Sequence, residues 1–349
     1  IKKENLFLAI KGKYHDGNKY INIALKKGAG CVATAYNVRK SKKIIKIKNT
    51  ILFLNSFAKL KRKYTQANII AITGSAGKTS LKNLIKDLLK YFGKTHFSPR
   101  SFNNHLGVPI SLSNLSYEDK FGVFEVGMSN SGEIRNLTSL IKPKIGIITN
   151  IGEAHIENFK NINGIAKAKS EMIENIKVGG TIILNRDDKF FNYLYKKAKK
   201  YKLNVTTFGR HKKSDVRLEK IINQKNNSKV IIKIKKQKIN FEIRDINIYN
   251  VLASLAVLKE LKIDFLKVLT KFKNFNSPEG RGKKYTILRY KKKFKFIDES
   301  YNANPLSVTH AIKKLSLIKK EKFKKYLILG DMLESVSYTH LRAHETDSY

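Results

Sequence analysis

A chain of 349 residues with 42% hydrophobic content can build the cores of two or three domains. Its 71 Lys+Arg against 27 Asp+Glu give a net charge of +44. The lysines are dispersed among Ile and Asn, as in Lys42-Lys43-Ile44-Ile45-Lys46-Ile47-Lys48-Asn49. That is the stamp of adenine- and thymine-rich coding sequence, so no nucleic-acid partner is expected. The single cysteine, Cys31, excludes an internal disulfide framework and fits a reducing compartment. No apolar run approaches the about 18 residues of a membrane span. The expectation is a cytoplasmic, soluble monomer without membrane insertion.

The chain opens on Ile1 and is already heading into a strand, so the start of its first domain is expected to be missing. A strand over 6–10, a turn over 12–17, a helix over 21–27, a strand over 30–35 and a helix over 51–63 read as a small α/β domain, residues 1–66. A larger unit, residues 67–275, follows. Strands are predicted at 69–73, 121–126, 145–149, 181–184 and 205–208, with helices at 165–175 and 190–201 between them. This alternation of buried strands and helices specifies a doubly wound parallel sheet. Residues 216–243 alternate apolar and charged side chains as antiparallel hairpins do, and 250–261 is apolar at helical spacing.

The chemistry begins at the first strand of that unit. Ala71-Ile72-Thr73-Gly74-Ser75-Ala76-Gly77-Lys78-Thr79-Ser80 couples a strand to a glycine-bearing loop and then to a helix. This is the pattern of a phosphate-binding loop, with Ala71 where the common form has its first glycine. Gly74 and Gly77 let the backbone curl so that the N–H groups of Gly74, Ser75, Ala76, Gly77, Lys78, Thr79 and Ser80 can face phosphate oxygens at a helix N-terminus. Lys78 can reach the terminal phosphates, and Thr79 offers a hydroxyl to Mg²⁺. A glycine turn with a chance lysine would not require both the strand and the helix. ATP is therefore the expected nucleotide. Glu125 arrives at the end of a second strand, and His155 follows a third through Thr149-Asn150-Ile151-Gly152-Glu153-Ala154. A carboxylate and an imidazole beside a phosphate loop can serve a divalent cation or a bound water.

A junction, Ser277-Pro278-Glu279-Gly280-Arg281-Gly282, leads into a third segment, residues 276–335, with strands expected at 285–290, 295–298 and 326–329. From Val336 the lysine-rich style stops abruptly. Residues 336–349 resemble the translation of a sequencing adapter and are set aside, His340 and His344 with them.

Seven blocks stand in the order found in the Mur ligase family. They are Thr73–Thr79, Asn103-Asn104-His105-Leu106-Gly107-Val108-Pro109, Glu125-Val126-Gly127-Met128-Ser129, Thr149–His155, Ala166-Lys167-Ala168-Lys169-Ser170-Glu171, Asp298-Glu299-Ser300-Tyr301-Asn302-Ala303-Asn304-Pro305, and Gly330-Asp331-Met332-Leu333-Glu334. The chain most resembles the branch that joins D-alanyl-D-alanine to UDP-N-acetylmuramoyl-tripeptide. Gly12-Lys13-Tyr14-His15-Asp16-Gly17 resembles the uridine-nucleotide block of that branch.

The resemblance implies a three-domain α/β architecture: a small amino-terminal α/β domain, a central P-loop doubly wound parallel sheet, and here an incomplete carboxy-terminal Rossmann-like domain. It implies an ATP-dependent amide ligase working through an acyl phosphate, which calls for charge neutralisation more than for a covalent nucleophile. By resemblance, Lys78 steadies the transferred phosphoryl group, and Thr79 with Glu125 holds Mg²⁺. His155 holds a second Mg²⁺ together with a carbamylated Lys169. Asn302, Asn304 and Arg281 lie near the nucleotide, Asn104 near the reacting groups, and Asp16 on the uridine substrate. Another Mur ligase or a folylpolyglutamate synthase is the nearest rival; a basic nucleic-acid-binding NTPase is a rival of another class. With only about 60 residues for a third domain that more often needs 100 or more, little or no ligase activity is expected of the chain as written.

Overall fold

The computed structural model describes residues 3–38, 41–224, 227–316 and 324–330. Within it, β1 (Leu6–Leu8), α1 (Ile21–Lys26), β2 (Cys31–Thr34) and β3 (Ile44–Lys46) make a parallel three-stranded sheet in the order β1-β2-β3. Its core is small, built on Ala9, Ile21 and Val32. Helix α2 (Thr50–Tyr64) starts where the Asn49 side chain accepts the Ile51 and Leu52 amides. The sequence groups α2 with the amino-terminal unit. In the fold it buries Ala58 in the core of the large sheet, and Arg62 donates to the carbonyls of Ile141 (2.6 Å) and Lys142 (2.8 Å).

The large unit runs β4 (Asn68–Thr73), α3 (Lys78–Leu89), β5 (Thr95–Phe97), α4 (Gly107–Ser113), β6 (Phe121–Glu125), α5 (Glu133–Ile141), β7 (Ile145–Ile148), α6 (Ile162–Ser170), β8 (Thr181–Asn185), α7 (Phe191–Lys200), β9 (Asn204–Gly209), β10 (Val216–Asn223), β11 (Ser228–Ile234), β12 (Gln237–Ile243) and α8 (Ile248–Glu260). One sheet of nine strands results, in the order β12-β11-β10-β9-β8-β7-β4-β6-β5. Strands β4 to β9 pair in parallel. The expected hairpins are there, and they prolong this same sheet: β10 joins β9 in parallel, and β11 and β12 follow antiparallel.

Strand β4 shows why the sheet is buried on both sides. Successive side chains point to opposite faces, and Ile70 and Ile72 enter the core that α3 and α8 cover. Ile69 and Ala71 enter the other core, with residues of α5, α6 and α7. Every residue from Val251 to Leu258 is buried, so α8 is apolar all round because it is covered all round.

Beyond Phe275, β13 (Lys283–Arg289) and β14 (Lys292–Asp298) form an antiparallel hairpin, and α9 (Pro305–Ser316) follows. Tyr290 and Lys291 both take positive φ, 50° and 58°, the tight two-residue turn that matches strand twist. The third strand expected at 326–329 does not form. Those residues are extended, exposed and irregular, because among the described residues no strand lies beside them to share a hydrogen-bond ladder. Residues 331–334 of the last motif and the tail 336–349 lie outside the described residues. No described helix is long and apolar enough to cross a membrane.

Candidate active site

Strands β4, β6 and β7 are neighbours, so their carboxyl ends bring three loops to one place, as open α/β sheets do at their ligand clefts. From β4 the chain turns through Gly74 (φ 147°) and Gly77 (φ 83°) into α3. A Cβ on Gly74 would lie 1.9 Å from Thr149 Oγ1, so only glycine lets this loop close on β7. Backbone and side chains then lock the two loops together. Ser75 N–H donates to the Asn150 carbonyl (3.0 Å), and Ala76 N–H donates to Asn150 Oδ1 (2.9 Å). Thr149 Oγ1 donates to the Ala76 carbonyl (2.7 Å), and the Ser75 hydroxyl exchanges bonds of 2.8 Å with Gly152 O and N–H. Lys78 folds back, its Nζ donating to the Gly74 carbonyl at 2.8 Å. The ammonium thus lies across the loop that a phosphate would fill.

Glu125, 1% exposed, sits at the end of β6 and gathers the second part of the site. Thr79 Oγ1 donates to its Oε2 (2.8 Å), and Asn103 Nδ2 donates to its Oε1 (2.9 Å). The Lys82 ammonium lies 3.5 Å from Oε2 and also donates to the Arg100 carbonyl. Burial pushes the Lys82 ammonium down, and Glu125 pulls it back up. Among the described residues no three His, Cys, Asp or Glu side chains form a metal cluster of their own. A carboxylate and a hydroxyl sharing one oxygen contact beside a phosphate loop do fit Mg²⁺, which takes one or two protein oxygens and completes its shell with phosphate and water.

The third part comes from β7 and α6. His155 stands in the left-handed region (φ 61°), and Asp188 holds the loop before it by accepting the Ile151 amide at 2.8 Å. Burial pushes the Asp188 carboxyl up. Lys169 is 2% exposed on α6. Burial, and then the charge of Lys78, push its ammonium well below the usual lysine value, and no anion among the described residues opposes them. Both causes favour the neutral amine, which is the form that adds CO₂.

The remaining expectations fare differently. Arg281 stacks over the Tyr301 ring (4.1 Å), close enough for its charge to be felt at Lys82. Leu306 of α9 comes within 3.1 Å of where a Cβ on Gly152 would lie, so the third segment meets the 149–155 loop. Asn302 is exposed in the loop just before α9. Asn304 is buried and its Oδ1 accepts the Ser307 amide (2.9 Å), capping that helix. Asn104 Oδ1 likewise accepts the Leu106 and Gly107 amides at the start of α4. Asp16 Oδ1 accepts the Asn18 amide (2.9 Å) and side chain (2.7 Å), capping the short helical turn Gly17–Tyr20 of the amino-terminal unit.

Lys82 has a place here that the sequence reading does not give it, though it has a signal: it follows Thr79 by three residues on a helix, hence on the same face. Asn103 and Asn150 stand inside two of the seven blocks without a role of their own, and the fold supplies one, Asn103 on Glu125 and Asn150 on the phosphate loop. Asn250 approaches that loop from α8, its Oδ1 3.1 Å from where a Cβ on Gly77 would lie.

With this geometry in view, the chain compares as follows. A model of the Mur ligase middle domain matches residues 72–258. The chain is 33% identical over 332 residues to the UDP-N-acetylmuramoyl-tripeptide–D-alanyl-D-alanine ligase of Buchnera aphidicola, covering 94% of this chain and 72% of that one. It is similar in structure to MurF from Acinetobacter baumannii (TM-score 0.81, 26% identity, 91% and 69% of the two chains). It is also similar to the MurF ligase of Thermotoga maritima in complex with ADP (TM-score 0.77, 25% identity, 90% and 72%).

Proposed function

The chain belongs to the Mur ligase family, and we infer that it is an ATP-dependent ligase joining the amine of D-alanyl-D-alanine to the terminal carboxylate of UDP-N-acetylmuramoyl-tripeptide. Its relatives across most of their length carry that activity in their names. The observation that carries the reading is that the Gly74–Thr79 loop and Glu125 meet at adjacent strand ends, with Lys169 of α6 near enough to feel the charge of Lys78.

The reaction proceeds in two stages. The substrate carboxylate takes the terminal phosphoryl group of ATP, giving an acyl phosphate and ADP. The amine then attacks the acyl carbon, and the tetrahedral adduct loses phosphate to leave the amide. Phosphoryl transfer of this kind needs positioning and charge stabilisation. The loop amides from Ser75 to Thr79 and the N-terminus of α3 supply fixed dipoles for the phosphates. Lys78 exchanges its Gly74 carbonyl for phosphate oxygens. Thr79 and Glu125 would hold one Mg²⁺, with Asn103 steadying the carboxylate. His155 and Lys169 would hold a second, once the neutral Lys169 amine has added CO₂ and released a proton to become a carbamate. Bound there, the cations would supply neutralisation of the phosphate and acyl-phosphate charge. Arg281 stands where it can add a further positive charge from the third segment. Asp16 and Asn104 serve the uridine and acceptor ends of the substrate, and Asn302 and Asn304 the nucleotide. The enzyme works as a cytoplasmic monomer.

Phosphate release that requires both UDP-tripeptide and D-alanyl-D-alanine is the direct test. In an enzyme extended to the full length of its relatives, Lys78→Ala should lower that release by about 10²–10³-fold with the thermal midpoint unchanged. Equal turnover in the variant would remove the loop from the mechanism.

A further inference from the structure

Lys82 is among the largest fully buried side chains of the described residues, and a charged one. A lysine with 0% exposure is retained only where something holds its ammonium. Two groups do so. One is Glu125 Oε2 at 3.5 Å; the other is the carbonyl of Arg100, in the loop that also carries Asn103. Lys82 therefore ties three pieces of chain together: the helix behind the phosphate loop, the end of β6, and the loop between β5 and α4.

Glu125 depends on this arrangement. Its Oε1 is held by Asn103, and its own N–H donates to Ser98 Oγ (3.2 Å). Its Oε2 has Thr79 Oγ1 and Lys82. When the Thr79 hydroxyl turns to a cation, Lys82 is the contact that remains on Oε2 among those described. We propose that Lys82 is a positioning residue for the divalent cation, its ammonium bridging Glu125 and the Arg100 carbonyl so that the carboxylate is set before nucleotide arrives. This rests on the reading that Thr79 and Glu125 receive the cation. Partners of metal ligands that fix their orientation typically govern affinity by 10–100-fold.

The test uses the full 349-residue chain, with ADP titrated calorimetrically in chelator and Mn²⁺ binding followed by electron paramagnetic resonance with ADP present. Lys82→Met keeps the length and removes the charge. Metal-free ADP should bind within about twofold of the parent, because the phosphate-loop contacts are untouched, while Mn²⁺ affinity should fall roughly tenfold or more. A purely structural role would lower both together, and that result overturns the proposal. So does Mn²⁺ binding at parental strength, or tighter binding, which would make Lys82 an electrostatic competitor of the cation. If Lys82→Met does not fold by circular dichroism, Lys82→Gln, which can still donate to Arg100, carries the same test with the same readings. Should the parent itself bind no Mn²⁺ with ADP, the assignment of Thr79 and Glu125 falls, and the role of Lys82 with it.

Discussion

Two pairs of strands in this molecule have nearly the same sequence style and opposite fates. Strand β11 alternates lysines with Val230, Ile232 and Ile234, all of them buried. Strand β13, equally lysine-rich, leaves Ile287 and Leu288 exposed, and Phe294 and Phe296 of its partner are exposed too. Helix α8 makes the difference, because Leu252, Leu255 and Ala256 lie in one core with Val230 and Ile232. Alternation selects which side chains share a face; only a covering layer turns that face into stability. The active-site loops follow the same division. Those on the covered sheet hold one another through Ser75, Thr149, Asn150 and Gly152, whereas the hydrogen bonds of Asn304 with Ser307 stay within its own segment, at the start of α9.

The largest effect should come from opening the covered side. Ile232→Ala removes a fully buried side chain from the core that β11 shares with α8 and should cost about 2–5 kcal/mol in denaturant unfolding. A loss below 1 kcal/mol would mean that α8 does not cover this strand as described.

Legibility in the sequence divides along similar lines. The parallel strands were readable because β4, β6, β7 and β8 are short apolar runs buried on both faces, with helices at the right spacing between them. Strand β5 and helices α4 and α5 went unread. Thr95–Phe97 is only three residues long, α4 is a seven-residue helix, and α5 starts at Gly132 without a side-chain cap. In the site, Gly74, Lys78 and Thr79 were legible because the loop they form is continuous in sequence. What Asn103, Asn150 and Asn250 contact was not, since their partners Glu125, Ala76 and Gly77 come from other segments of the chain. The 326–329 strand failed for the converse reason: its apolar run is real, but a strand also needs a neighbour.

A second variant sharpens the comparison from inside the covered region, where burial is a cost. Lys169 is buried, with its proton affinity lowered from an ordinary value of 10.5. A lysine whose folded value is depressed contributes full stability above the unfolded value and loses it as pH falls through the folded one. At neutral pH, in buffer free of CO₂, the parent therefore bears the cost of burying an amine that is charged in the unfolded chain. Lys169→Met should be more stable there by about 1–3 kcal/mol, and the proposed role predicts that it loses activity. The advantage should shrink as pH rises toward 10.5, and it should narrow when bicarbonate is supplied. A variant less stable than the parent at pH 7 would show that Lys169 has an anionic partner.

The smallest effect belongs to the uncovered hairpin, and its smallness is what the comparison requires. Leu288 is 78% exposed on β13, so replacing it removes almost no apolar area from a core. Lys293 lies directly opposite it in the register. Like charges across a pair of strands are unfavourable by only a few tenths of a kcal/mol at an exposed site. Leu288→Lys should therefore change the unfolding free energy by no more than about 0.5 kcal/mol. The residual loss should fade in high salt, since what little remains is screened charge repulsion and not packing. A cost of 2 kcal/mol, insensitive to salt, would mean that Leu288 is covered in solution. The hairpin would then be an ordinary buried face like β11, and the contrast between the two pairs of strands would dissolve.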